Sequence, residues 1–263
     1  MAALGNVALA VAAGLVGAGA TAALAVFGVL PTAGVVATPE RAAMEKLVHD
    51  YVVQNPEILL EAQKALQTRQ AAREAAEARE KLASKPETLE NSKLQAVLGN
   101  PDGDVTLVEF FDYNCGYCRR ALGDLNALIE KDPKLRVVLK EFPILGRGSA
   151  EAAQVSAAVN LIAPDKYKTF HDALLSAQGQ ADLASATRAA TAAGVDAAAL
   201  EEALKRPEVR ATIEEAYALA SQFGVESTPV FIVGDAILPG AVGEQAIKSR
   251  IDALRKCGKT ACS

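Results

Sequence analysis

VTLVEFFDYNCGYCRR, residues 105–120, is the stretch on which the reading of this chain turns. Val105 to Phe111 is almost wholly β-branched, apolar or aromatic and follows the turn-forming run Asn100-Pro101-Asp102-Gly103, so it predicts a short buried strand. A predicted helix, Gly116 to about Glu130, begins directly after it, and Cys115 and Cys118 sit at the junction. That setting gives the Cys-x-x-Cys pair its chemistry. At a helix N-terminus, unpaired N–H groups and the positive end of the helix dipole stabilise a thiolate. A free thiol with a pKa near ~8.5 is only slightly ionised at neutral pH, and each unit of depression is worth about 1.4 kcal/mol. Cys115 is therefore the candidate nucleophile. Cys118, one turn on and on the inner side, is the candidate resolving thiol, placed to attack a mixed disulfide formed at Cys115. Glu109 is either a buried proton acceptor for Cys118, its pKa raised by burial, or a strand residue facing solvent.

Downstream, Asp132-Pro133 stops the helix, and LRVVLKEFP, residues 135–143, predicts a second strand, which makes a parallel crossover unit. Residues 147–223 are Ala-rich and helical, with breaks at Ala163-Pro164, Gly179, Gly194 and Arg206-Pro207, and read as a helical insertion. Strand character returns at Val230–Val233, turns at Gly234-Asp235 and resumes at Ala236–Leu238, and a last helix runs from Glu244 to about Lys256. Pro229, at the start of that third strand, cannot donate to a central ladder. A cis Thr228-Pro229 bond fits the placement and would leave the Thr228 backbone free to pair with an extended substrate.

Upstream, the chain reads as two helices broken at Asn55-Pro56. The first carries Met44, Leu47, Val48, Tyr51 and Val52 at helical spacing; the second opens with Ile58, Leu59, Ala62 and Leu66 and then turns polar, so its later half reads as solvated. Such a face needs a cover, either a partner chain or the protein's own domain. Ahead of these helices no charged residue precedes Glu40, and Leu4 to Leu30 is long and apolar enough for a cleaved signal peptide or an uncleaved anchor. The chain thus divides into residues 1–37, signal or anchor; 38–86, an N-terminal helical region able to oligomerise; and 87–263, the redox domain.

Composition excludes one class of function. The net charge is −5 with both signs interspersed, which gives no basic footprint for nucleic acid. Hydrophobic residues make up 51% of the chain but aromatics only 5%, which favours helices built from small side chains. The four cysteines fall into two close pairs. Cys257 and Cys262 read as a local structural disulfide, with a regulatory or free pair as the alternative. A zinc site built from all four thiolates is a competing reading, but the second spacing is loose for it. His49 and His171 lie in helical contexts and read as surface or packing residues. A third reading is a non-catalytic envelope protein that keeps the fold without the chemistry.

The runs VEFFDYNCGYC, LKEFPILG and STPVFIVG, with the helical insert between the last two, resemble the DsbA-like thioredoxin-fold proteins, most closely the ScsC and Com1 group. MEKLVHDYVVQNPEILLEAQKAL resembles that group's N-terminal region. The resemblance implies an α/β thioredoxin fold and an exported thiol–disulfide oxidoreductase of the periplasm or cell envelope. It implies that Cys115 is the nucleophile, Cys118 the resolving thiol and Pro229 the cis-proline, with Thr228, Gly116 and Tyr117 on the substrate side. No cofactor is expected beyond the redox-active Cys115–Cys118 disulfide. The implied partners are cysteine-containing exported proteins, a membrane or periplasmic redox partner, and further copies of the chain. Gly116-Tyr117 and Thr228 are similar to those of disulfide isomerases, while the insert resembles the oxidase DsbA, so both activities stay open.

Overall fold

The computed structural model describes residues 39–262. The apolar segment read as a signal peptide or anchor lies outside the described residues. Among the described residues, no helix is long and apolar enough to cross a membrane. The chain divides into two units between Leu60 and Glu61.

In the first unit, α1 (Pro39–Gln54) ends where Asn55 donates its side-chain amide back to the Tyr51 carbonyl at 2.8 Å, and α2 (Glu57–Ala83) starts after Pro56. The i,i+4 ion pairs Arg41–Glu45 and Lys46–Asp50 run along α1, each worth a few tenths of a kcal/mol, about 0.2–0.5. No residue of α1 is buried: Met44, Leu47, Val48 and Tyr51 are all more than half exposed.

The second unit is built on a five-stranded sheet in the order β1-β3-β2-β4-β5. Its strands are β1 (Ala96–Gly99), β2 (Val105–Phe111), β3 (Leu135–Glu141), β4 (Val230–Val233) and β5 (Ala236–Pro239). β2 and β3 are parallel, joined by the crossover helix α4 (Gly116–Lys131), and the other pairings are antiparallel. Because both faces of the central strands are covered, β2 and β3 are buried along nearly their whole length, which explains why apolar residues dominate them and why Glu109, Lys140 and Glu141 are buried as well. On one face Leu107, Phe111, Val137 and Leu139 pack with Leu125 of α4 and with the inserted helices; on the other, Val108, Phe110 and Val138 pack with Leu89, Leu219 and Phe223.

Two elements depart from the sequence reading. β1, with the one-turn helix α3 (Thr88–Asn91) before it, precedes the predicted start at Asp104, because a four-residue edge strand is too short to show a pattern. The later half of α2 is not solvated throughout: Ala78 and Leu82 are buried, and Leu82 joins the second core cluster. These two positions lie one turn apart among Glu77, Arg79, Glu80 and Lys81, so charged neighbours mask them. Arg79 adds an ion pair to Asp235 at 2.9 Å.

Between β3 and β4 lie α5 (Arg147–Ile162), α6 (Pro164–Ser176), α7 (Leu183–Ala192), α8 (Ala197–Ala203) and α9 (Pro207–Phe223). Buried Ala152, Ala153, Ala157 and Ala158 give α5 a small-residue surface that lets its neighbours approach closely. α9 ends at Gly224, whose φ of 69° is a left-handed cap, and Val225 N then donates back to Ala220 O at 2.8 Å. This cap turns the chain into Ser227-Thr228-Pro229 and β4. The final helix, α10 (Glu244–Cys257), is tied down by Arg255, which pairs with both Asp104 and Asp132.

Candidate active site

The site is assembled where β2 runs into α4. Cys115 is the N-cap of α4, in extended geometry (φ −78°, ψ 115°), and its sulfur accepts a hydrogen bond from Cys118 N at 3.4 Å. Both cysteines are free and buried. The Cys115 thiol is pulled down to about 5, chiefly by a hydrogen bond from the Cys118 thiol, against the cost of burial; the Thr228 side chain and the N–H groups of Cys118 and Tyr117 add to the effect. Thr228 acts in two directions, because its carbonyl, 3.2 Å from the sulfur, accepts a bond only from the protonated thiol. The Cys118 thiol is shifted the opposite way, well above its ordinary value, by burial, by its bond to Cys115 and by the Glu109 charge. One sulfur is thus ionised at neutral pH and its neighbour is held protonated.

Glu109 lies inside, not at the surface, and burial followed by the Cys115 charge pushes its carboxyl up to about 8. Its influence on Cys118 places it in that thiol's electrostatic neighbourhood. The Thr228-Pro229 bond is cis, and the Thr228 carbonyl lies against the Cys115 sulfur. Gly116 faces open space, since a Cβ there would meet nothing within 4 Å. Tyr117 is 57% exposed, its ring 4.1 Å under the Arg120 guanidinium. Thus the structure brings Cys115, Cys118, Glu109, Gly116, Tyr117, Thr228 and Pro229 together.

Cys257 and Cys262 are placed elsewhere, bonded to each other (S–S 2.12 Å) at the end of α10. Their sulfurs are thereby unavailable to a four-thiolate zinc site. Among the described residues, no group of three or more His, Cys, Asp or Glu is arranged to hold a metal ion.

Sequence reasoning passed over a buried polar network behind the dithiol. Tyr113 Oη lies 2.8 Å from Ser156 Oγ and 3.1 Å from His171 Nδ1; Ser156 donates to Glu141, and Tyr167 Oη donates to Glu141 at 3.1 Å. Burial raises the Glu141 carboxyl to about 8 and lowers His171 to about 4, so both are neutral near pH 7. Asp112 Oδ2 accepts from Leu145 N at 2.9 Å, and Asn114 reaches the insert. The signal for these residues was the polar run Asp112-Tyr113-Asn114 beside the cysteine, but their partners lie 33 to 67 residues away.

Comparison with known proteins agrees with this geometry. Residues 106–252 match the profile of the DSBA-like thioredoxin domain, and residues 40–73 match the copper resistance protein ScsC N-terminal domain. A thioredoxin-like oxidoreductase from Silicibacter pomeroyi DSS-3 is 42% identical, with a TM-score of 0.63, over 66% of this chain and 99% of that one. Proteus mirabilis ScsC in a compact conformation is 31% identical, with a TM-score of 0.61, over 84% of this chain and all of that one. Disulfide bond formation protein D of Bacillus subtilis (strain 168) is 27% identical over 61% of this chain and 77% of its own length. With a profile match that spans more than half of the chain and two free cysteines at the strand-to-helix junction, the chain belongs to the DsbA-like thioredoxin-domain family and is a protein thiol–disulfide oxidoreductase.

Proposed function

We propose that this protein forms or isomerises disulfide bonds in exported proteins through the Cys115–Cys118 pair. The observation that carries the reading is the split between the two thiols, with Cys115 pulled down to about 5 at the cap of α4 and Cys118 pushed up beside it. In the reduced form the Cys115 thiolate attacks one sulfur of a substrate disulfide; a mixed disulfide forms and the other substrate sulfur leaves as thiolate. In isomerisation a second substrate thiolate attacks the mixed disulfide and regenerates Cys115. In net reduction Cys118 loses its proton and attacks the Cys115 sulfur, which releases the substrate thiolate and leaves a Cys115–Cys118 disulfide. Oxidation of a substrate dithiol is the same two-electron sequence reversed.

Glu109 takes the Cys118 proton. Part of what raises its carboxyl is the negative charge on Cys115, and that charge disappears once Cys115 enters a mixed disulfide. Glu109 then becomes a stronger acid, although burial still holds its carboxyl up, so a larger share of it is ionised when Cys118 needs a base.

Several features support polypeptide substrates outside the cytoplasm. In the second unit, outside α2, the exposed large apolar side chains are Tyr117, Ile144 and Leu145, in the segments that follow β2 and β3, Leu183 at the start of α7, Tyr217 in α9, whose hydroxyl donates to Pro143 O, and Val242 in the β5–α10 connection. Such a rim suits an extended chain that crosses Cys115 beside Thr228 and Pro229. The Cys257–Cys262 bridge and the charge-free N-terminal stretch fit a periplasmic or envelope location, with a membrane or periplasmic partner resetting the dithiol. Residues 38–86 serve as an oligomerising region, supported by the open apolar side chains of α1, and residues 87–263 as the redox domain with its insertion at 147–223.

The test is reactivation of scrambled ribonuclease beside oxidation of reduced ribonuclease, each with wild type and Cys115→Ala. Recovery from the scrambled substrate marks an isomerase, and recovery only from the reduced one marks an oxidase. Equal rates for wild type and Cys115→Ala in both assays would sink the mechanism.

A further inference from the structure

Three side chains tie the turn that carries Cys115 to structure outside the sheet: Asp112 accepts from Leu145 N, Tyr113 Oη meets Ser156 and His171, and Asn114, nearest the sulfur in sequence, grips the insert's backbone. Asn114 Nδ2 donates to Ala181 O at 2.9 Å and to Ser149 Oγ at 3.0 Å, and Asn114 Oδ1 accepts from Ala181 N at 2.6 Å. Both amide hydrogens and the carbonyl are thereby committed to the inserted helices, to α5 through Ser149 and to the α6–α7 connection through Ala181. On the other side, Asn114 N donates to Asp112 Oδ1 at 2.7 Å and Cys115 N donates to Asp112 O at 3.0 Å, which closes residues 112–115 into a turn. Ser149 and Ala181 are buried, so these bonds are shielded from water.

α5 approaches the same carbonyl independently. A Cβ at Gly148 would lie 2.6 Å from Ala181 O and 3.0 Å from Gln180 Nε2, so only glycine lets the first turn of α5 rest against this backbone. The partner of Asn114 is therefore fixed from two directions.

We propose that Asn114 is a positioning residue through which the helical insert fixes the turn that presents Cys115. The inference rests on the dithiol reading above and gives the insert a part in the chemistry. Everything that favours the Cys115 thiolate is directional, namely the Cys118 thiol, the Tyr117 and Cys118 N–H groups and the Thr228 side chain. Asn114 itself makes no bond to the sulfur, but a turn held only through Tyr113 and Asp112 could shift at its Cys115 end and misalign all of them together.

The experiment is a pH titration of Cys115 in the full chain, by ultraviolet thiolate absorbance and by alkylation rate, for wild type, Asn114→Ala, Gly148→Ala and the double variant. Asn114→Ala is expected to move the midpoint up by about one unit, which is tenfold less thiolate at pH values below both midpoints. Gly148→Ala should act in the same direction by pushing Ala181 away, and the double variant should be no worse than Asn114→Ala alone, because the two act through one contact. If Asn114→Ala does not fold, Ser149→Ala removes one of the three bonds and should give a smaller upward shift. An unshifted midpoint in a folded variant beside a depressed wild type, even with a lowered melting temperature, overturns the proposal, as does simple additivity of the two variants. A wild-type Cys115 that titrates as an ordinary thiol removes the dithiol reading and this proposal together.

Discussion

α1 and α4 are each 16 residues long and each carries apolar side chains at helical spacing, yet they meet opposite fates. α4 buries Cys118, Ala121, Leu122, Leu125 and Leu128, whereas α1 buries nothing and leaves Met44, Leu47, Val48 and Tyr51 open. Periodicity reports that a helix has a face; what covers it depends on what the rest of the chain brings. α4 belongs to a crossover between two parallel strands of its own sheet, so the segments just before and just after it supply the cover. α1 has no such flanking strands, and residues 40–73, which include most of it, match the ScsC N-terminal domain.

That contrast can be broken by measurement. Leu125→Ala in α4 should cost about 2–5 kcal/mol in denaturant unfolding, as a fully buried leucine does when it leaves a cavity. A cost below about 1 kcal/mol would mean that α4 is not the packed helix described. Glu109→Gln should stabilise the protein at pH 7 by on the order of 3 kcal/mol while slowing resolution of the mixed disulfide. The sign follows from the raised pKa: below about 4.5 the carboxyl is protonated in both states and carries no penalty. As pH climbs toward about 8 the unfolded chain gives up its proton while the folded one keeps it, so stability falls across that window. The gain from Glu109→Gln should therefore vanish near pH 4, and a gain independent of pH would contradict the assignment.

Weaker effects probe the other side of the contrast. Leu47→Glu together with Leu59→Glu should lower the sedimenting mass of the full chain and leave the Cys115 titration in place; unchanged sedimentation would argue against assembly through this face. Leu47→Ala, measured at high dilution, should shift stability by no more than about 0.5 kcal/mol, as exposed substitutions do. A cost that grows with protein concentration would show that another copy supplies the missing cover.

Much of this was legible in the sequence, for identifiable reasons. Strands β2 and β3 are predominantly apolar and β-branched runs between strong turn signals, the dithiol is adjacent in sequence, and Pro229 stands where a ladder donor would be missing. β1 is four residues long and leaves no such trace. Ala78 and Leu82 are hidden by the charges around them. The polar network joining Tyr113, Ser156, Glu141, Tyr167 and His171 was out of reach because four elements contribute one or two side chains each, and only the folded chain brings them within 3.1 Å. Asn114 was unreadable for the same reason: nothing in the sequence says that its amide will meet the backbone of Ala181.

The two outermost strands bear on a different hazard. A protein proposed to form or isomerise disulfides in exported proteins would meet polypeptides with unpaired backbone, for which an open sheet edge is a template for aggregation. Here the edges are β1 and β5, each of four residues, and β5 ends in Pro239, which has no N–H to offer. A client strand that drifted onto either edge would find room for only about two or three hydrogen bonds before the ladder ran out, on the order of 1 kcal/mol each. On the proposed function, the brevity of these edges leaves sulfur exchange as the lasting bond to a substrate chain, and it is a bond the dithiol can break.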